Sequence, residues 1–338
     1  MKRWAWGFVL SLFAVGCATG SYAADTIRIG WQPTSTVSSQ IANTLARTDI
    51  LERNGLKGEF IMFTYGPAVN EALVSGAIDV GFIGDLPSIA LAAAGAPTTV
   101  VARQSTFRGA ILATSKSGIT SVQDLKGKKL YGPVGSSIHL AAVAMLADAG
   151  LKAGTDVEVV NMGFVDLSDA IAAGRVDAVF IWDPWIEFFV SKGLAKVIAS
   201  DTSLTMVVAA RNDFRTKSPD VIRRFLVAQK EALAYAAAHH DEANAWFRDS
   251  AAAKSLPADV VATATAYDPQ WAVKDVNALR VAMTPAEMDR YLNLGKLAGQ
   301  LKVFPRVPDL KTTTDMSVAE TVDSTKIDAG AAPVTVKP

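Results

Sequence analysis

Cysteine is nearly missing from this chain. The one thiol, Cys17, lies within an N-terminal segment that reads as an export signal. Cleavage after Ala23 would leave a mature chain without a thiol, which excludes disulfides, thiolate metal sites and cysteine nucleophiles. Histidine is scarce as well, with three residues, His139, His239 and His240. A multi-histidine metal site is not expected on counting alone, and no cofactor is implied. Charge of one sign is also absent, since 33 basic residues face 33 acidic ones. Without Lys2 and Arg3 the balance is 31 against 33, a net charge near −2. There is no basic stripe to suit nucleic acid. Past the export segment no run approaches about 18 uncharged apolar residues, so no membrane-spanning helix is expected. The sequence contains no Gly-x-Ser-x-Gly, His-Glu-x-x-His, Gly-x-Gly-x-x-Gly or phosphate-binding Gly-Lys-Ser/Thr loop, and no carboxylate pair is singled out by spacing.

The ends of the chain differ in kind. Lys2 and Arg3 precede the apolar run Trp4 to Val15, and Ser21-Tyr22-Ala23 offers small residues at the positions a signal peptidase reads. Residues 1–23 are therefore expected to be a cleavable signal peptide. Ala14-Val15-Gly16-Cys17 lacks the leucine that usually opens the box before a lipid-modified cysteine. At the other end, Lys311 to Pro338 is rich in Thr, Ser, Asp, Ala and Pro, and residues 306–338 read as a flexible tail.

Between them, short apolar runs alternate with amphipathic ones. Thr26–Trp31, Gly58–Phe63 and Ile78–Ile83 read as strands separated by helices. The rhythm resumes with strands at Lys129–Tyr131, Val157–Asn161 and Val176–Ile181. Such alternation implies mostly parallel sheets covered by helices on both faces. A gap-free internal match supports two related units. Gly76–Asp85 and Gly174–Asp183 both read Gly-x-(Ile/Val)-Asp-x-x-Phe-Ile-x-Asp, each a buried strand leading to a proline-containing helix start. A late helical block, from Asp213 onward, suggests that the chain returns to the first unit.

Ligands of open α/β sheets bind where strand ends meet helix starts. Four such junctions carry suitable residues. Gln32 and Thr34 provide an amide and a hydroxyl after the first strand. Gly84-Asp85-Leu86-Pro87 opens a helix whose first amides carry partial positive charge, with Asp85 better suited to capping than to touching an anion. Gly135-Ser136-Ser137, with His139 one turn inside, combines hydroxyl and backbone donors suited to a sulfonate, sulfate, phosphate or carboxylate. Trp182, beside Asp183, offers an indole for the apolar body of a ligand.

These residues also resemble a known family. Ala72-Leu73 with Gly76-x-Ile78-Asp79-Val80-Gly81, Gly84-Asp85-Leu86-Pro87, Asp124–Lys129, Gly135-Ser136-Ser137 and Trp182-Asp183-Pro184-Trp185 are similar to the nitrate/taurine/aliphatic-sulfonate class of periplasmic binding proteins. The resemblance spans roughly Thr26 to Leu301. It implies an α/β type II periplasmic-binding fold, two three-layer lobes around a central cleft. Lobe I would hold residues 24–109 and 211–305, and lobe II residues 110–210, with crossovers near Phe107–Leu112 and Val207–Asn212. It further implies a monomeric, non-enzymatic periplasmic protein that carries a small anionic ligand to an ABC permease of the inner membrane. Taurine binders of this class carry an acid on the second crossover, whereas Ser203–Val208 has none. An organosulfonate or sulfate ester without an amine is thus expected, with nitrate, an aromatic carboxylate or a thiamine-type pyrimidine as alternatives. Pyrimidine-forming enzymes share the fold but use a cysteine-rich segment and a reactive histidine.

Overall fold

The computed structural model describes residues 24–327 and 333–337. The expected export segment lies outside them. The chain runs β1 (Asp25–Trp31), α1 (Ser38–Arg47), α2 (Ile50–Arg53), β2 (Leu56–Met62), α3 (Gly66–Ser75), β3 (Val80–Gly84), α4 (Asp85–Ala93) and the long β4 (Thr98–Thr114). It continues through β5 (Lys129–Gly132), α5 (Ser137–Asp148), β6 (Glu158–Asn161), α6 (Phe164–Ala172), β7 (Ala178–Trp182), α7 (Trp185–Ser191) and the long β8 (Ala195–Arg211). The helices α8 (Asn212–Lys217), α9 (Pro219–Ala238), α10 (His240–Arg248), α11 (Ala258–Thr265), α12 (Pro285–Gln300) and α13 (Ser317–Ser324) follow.

One sheet of order β2-β1-β3-β8-β4-β7-β5-β6 threads both halves. β1 pairs in parallel with β2 and β3, and β5 with β6 and β7. The antiparallel pair β4–β8 joins them, from Thr98 opposite Arg211 to Thr114 opposite Ala195. β3 lies against β8 and β7 against β4, so the repeated motif occupies equivalent places on the two sides. Each copy starts at a left-handed helix-ending glycine, Gly76 at φ 77° and Gly174 at φ 65°, a conformation that glycine adopts without a Cβ penalty. β3 and β7 are buried along their whole length, as their unbroken apolar sequences require.

Two hydrophobic cores result. The first takes β1, β3, α1, α9 and the stretches Val100–Ala102 and Val207–Ala210; the second takes β7, α5 and Phe107, Ala110–Ala113, Leu204 and Met206. The cores thus change over between Ala102 and Phe107 on β4 and between Met206 and Val207 on β8. Phe107–Leu112, expected as the first crossover, already belongs to the second core. Ladder irregularities fall between Val100 and Ala102, Arg103 and Ser105, Phe107 and Gly109, and Ile111 and Leu112. Phe247, Ala253, Leu256 and Val261 also pack in the second core, so the late helical block does not return wholly to the first.

The expected loose tail is a second correction. Thr313 and Asp315 bond to Val100 of β4, and α13 buries Ala319 and Val322 against the first core. Met316, Ala319 and Val322 recur every three residues, an apolar helix face hidden within a polar composition. Further on, Thr335 and Lys337 bond to Asp49 and Arg47. Among the described residues no helix is long and apolar enough to cross a membrane, and no group of His, Cys, Asp or Glu has the makings of a metal site.

Candidate functional site

Three helices begin at the wall of a cavity between the two cores. α3 contributes Tyr65 and Gly66, α4 contributes Gly84 and Pro87, and α5 contributes Ser136, Ser137 and Ile138. Gln32 and Ser35 follow β1, Trp182 ends β7, and Phe107 and Met206 come from the paired crossovers. No lysine, arginine, aspartate or glutamate is among these lining residues. Negative charge placed here is therefore met by hydroxyls, by the Gln32 amide and by the positive ends of helices. The remaining space is about 20 Å³, room for roughly one water, so a larger occupant requires the walls to part.

The walls meet through specific contacts. The Trp182 indole N–H donates to the Thr34 carbonyl at 2.9 Å. A Cβ on Gly84 would collide with the Ser137 hydroxyl, so glycine is what allows α4 and α5 to approach. Leu86 turns out of the cavity to pack with Leu140 and Ala298.

Ser137 Oγ is buried and has no hydrogen-bond partner, as are Oγ1 of Thr34 and Oγ of Ser105. Ser105 lies opposite Met206 in the ladder, which places its side chain beside a lining residue. Ser136 differs: its hydroxyl donates to the Pro133 carbonyl at 2.7 Å and shapes the loop before α5. Gln32 lines the cavity with its Nε2 donating to the Phe82 carbonyl at 2.9 Å.

Of the residues expected from sequence, Gln32, Gly84, Pro87, Ser136, Ser137 and Trp182 line one cavity. The others do not. Asp85 accepts from the Leu86 and Thr205 amides and from Arg290 at 3.3 Å, so its carboxylate is committed to tying α4 to β8 and α12. Asp183 is fully buried and accepts from Nε and Nη2 of the Arg108 guanidinium, at 2.7 and 3.0 Å. Burial, opposed by these bonds, pushes its pKa up to about 6. Burial disfavours the Arg108 charge most strongly of any single influence, but Asp183, Tyr267 and Glu187 together outweigh it and raise the pKa. Gly135, at φ 88°, abuts Pro67 outside the cavity. His139 packs on Phe180 with ring centres 5.8 Å apart, and burial lowers its pKa.

Tyr65, Gly66, Phe107 and Met206 also line the cavity without having been expected, whereas Ser35 and Ile138 belong to the loop after β1 and the start of α5 that the sequence had pointed to. Tyr65-Gly66-Pro67 follows β2 just as Gly84–Pro87 follows β3, a strand-end signal that was available. Phe107 and Met206 lie within apolar strands and carry no local signal.

A family profile described as "NMT1/THI5 like" matches residues 51–243. An Escherichia coli (strain K12) protein named for aliphatic sulfonates binding is 32% identical over 83% of this chain and 87% of its own. The taurine-binding periplasmic protein of the same organism is 27% identical over 55% of this chain and 58% of its own. Among solved structures, the alkanesulfonate-binding protein SsuA of Xanthomonas axonopodis pv. citri, bound to MOPS, superposes with a TM-score of 0.73 at 24% identity, covering 88% of this chain and all of that one. The periplasmic aliphatic sulphonate binding protein SsuA of Escherichia coli gives 0.70 at 25% identity, over 93% and 97%. The fold is thus of the type II periplasmic-binding kind, and the chain belongs to the NMT1/THI5-like family, whose matched members include binding proteins and a pyrimidine phosphate synthase of Saccharomyces cerevisiae.

Proposed function

We propose that this protein is the periplasmic solute-binding component of an ABC importer, and that it closes on an organosulfonate or sulfate ester between its two lobes. The observation that carries the reading is a cavity walled by three helix starts, with the unpartnered Ser137 hydroxyl and no ionised side chain. Such a site suits a weakly hydrated monoanion whose charge is spread over several oxygens. Asp85 and Asp183 are both engaged by arginines, leaving no carboxylate at the wall to receive an ammonium. This favours a ligand without an amine over taurine. The relatives named for sulfonates support the same class. Ligand residues are Gln32, Ser35, Gly84 and Ser137 in this reading, while the Trp182 indole is engaged by the Thr34 carbonyl. Lobe closure by a hinge in the β4–β8 pair presents the loaded form to the permease.

A thermal-shift screen of refolded mature protein tests it, with alkanesulfonates, aryl sulfonates, sulfate esters, taurine, nitrate, aromatic carboxylates and pyrimidines. A ligand at a hundredfold its Kd stabilises by about 2.7 kcal/mol. Shifts confined to amine-free sulfonates or sulfate esters support the reading; a shift with a carboxylate or pyrimidine alone overturns the substrate class.

A further inference from the structure

A buried carboxylate sits behind the anion-suited wall. Asp85 stands between Gly84 and Pro87, and Thr205, whose amide it accepts, precedes Met206; Gly84, Pro87 and Met206 all line the cavity. The Asp85 side chain is only 2% exposed, so water screens its charge little. Bare, it would oppose an anion held by the α4 amides. Two like charges roughly 8 Å apart, at an effective dielectric of about 20, repel enough to weaken binding about thirtyfold.

Among the described residues, Arg290 of α12 is the cation that pairs with this carboxylate. Its Nη1 donates to Asp85 at 3.3 Å and its Nη2 to Asp201 at 3.2 Å. Asp201 is 30% exposed, which leaves its own charge better screened than that of Asp85. The next residue along, Tyr291, is buried, with its hydroxyl 2.7 Å from that of Ser88. Two consecutive residues of α12 thus hold Asp85 and Ser88 in the first turn of α4, and Arg290 does so without lining the cavity. We propose that Arg290 is a specificity-determining positioning residue, which neutralises Asp85 from behind the wall and thereby sets the preference for sulfonates without an amine over aminosulfonates. This rests on the sulfonate reading above and adds to it a residue that does not touch the ligand. Without Arg290, Asp85 repels an anionic head and attracts an ammonium.

Titration calorimetry of the full mature chain with ethanesulfonate and taurine tests it, since the two differ by one ammonium group. The parent should bind ethanesulfonate more tightly. In Arg290→Met the ethanesulfonate Kd should rise about tenfold or more while taurine loses less, so that their ratio moves toward taurine. Arg290→Lys keeps a cation beside Asp85 and should keep the parent ratio. The double variant Asp85→Asn with Arg290→Met buries no bare charge, and its ethanesulfonate Kd should return close to the parent value. Should Arg290→Met fail to fold, the double variant still decides. A loss that persists in it means that Arg290 acts on the ligand itself and overturns the proposal. Equal losses for both ligands in Arg290→Met, or a parent that prefers taurine, overturn it while the sulfonate reading stands. A parent that binds neither ligand also overturns it, and with no response to any other sulfonate or sulfate ester the reading above falls too.

Discussion

Ser136 and Ser137 are adjacent in sequence yet differ in what they are free to do. The Ser136 hydroxyl is bound to Pro133, whereas Ser137 Oγ is buried beside Gly84 without a partner. An unpaired buried hydroxyl costs stability until something bonds to it. Ser137→Ala is therefore expected to leave the ligand-free melting temperature unchanged or slightly raised. The same substitution should weaken ligand binding about tenfold, the loss of one charge-assisted hydrogen bond. Calorimetry on the two serine variants checks this, and an unaltered Kd in Ser137→Ala removes that hydroxyl from the site.

Asp183 makes a different residue-scale prediction. Its folded pKa of about 6 stands above the ordinary aspartate value of 3.8, chiefly because burial disfavours the charge, so the fold favours the protonated form. The stabilisation this gives is complete below the unfolded pKa and is lost as pH rises through about 6. The difference is worth about 3 kcal/mol. Asp183→Asn removes this titration. Between pH 4 and pH 6 the parent should lose stability relative to the variant, measured by denaturant unfolding at each pH. Parallel profiles would show that the Arg108 pair holds Asp183 ionised throughout.

At the scale of elements, α13 shows how much a tail can matter. Lys230 of α9 is fully buried, and its ammonium lies 3.6 Å from Asp323 of α13. Asp323 also accepts the backbone N–H groups of Val281 and Ala282 at 2.9 Å. Removing one partner of a buried pair leaves the other charge uncompensated, at a cost of about 3–5 kcal/mol. Asp323→Ala should lower stability by about that amount. Lys230→Met should be far milder, because an apolar chain fills the space and Asp323 keeps its amide partners. Chemical denaturation of both variants decides it; equal losses would mean that packing, and not charge, dominates there.

The same helix shows what could be read in advance and what could not. β3 and β7 were legible because an unbroken apolar run between a glycine and an Asp leaves few other structures, and their repetition disclosed two related halves. The helix starts at Gly84 and Ser136 were legible through glycine, proline and serine at fixed places. α13 was not, since its apolar face is three residues wide and its burial depends on β4, far away in sequence. The orientation of Asp183 was equally hidden. Its partner Arg108 is 75 residues distant, and no local pattern tells a carboxylate facing a cleft from one facing an arginine. Phe107 and Met206 reach the cavity only through the pairing of β4 with β8.

At the scale of the whole molecule, closure has its own cost, and Trp182 exposes it. Its indole N–H donates to the Thr34 carbonyl, a bond that the proposed hinge opening would break. Trp182→Phe keeps a ring at the wall and leaves that carbonyl buried without its donor, at about 1–3 kcal/mol. The open form pays nothing. Ligand affinity is reduced by the fraction of molecules able to close, so Kd should rise roughly five- to hundredfold. Because the penalty falls on closing and not on ligand contact, the factor should be similar for every ligand that binds, whatever its tail. Gly84→Ala should act in the same direction, since its methyl group would collide with the Ser137 hydroxyl and so hinder the proposed closure. Calorimetry with several ligands, together with the radius of gyration from X-ray scattering, measures this directly. The expected outcome is a larger radius at intermediate ligand concentration for both variants, converging on the parent value at saturation. A Kd change that varies widely from ligand to ligand would instead make Trp182 a ligand contact and relieve it of any part in closure.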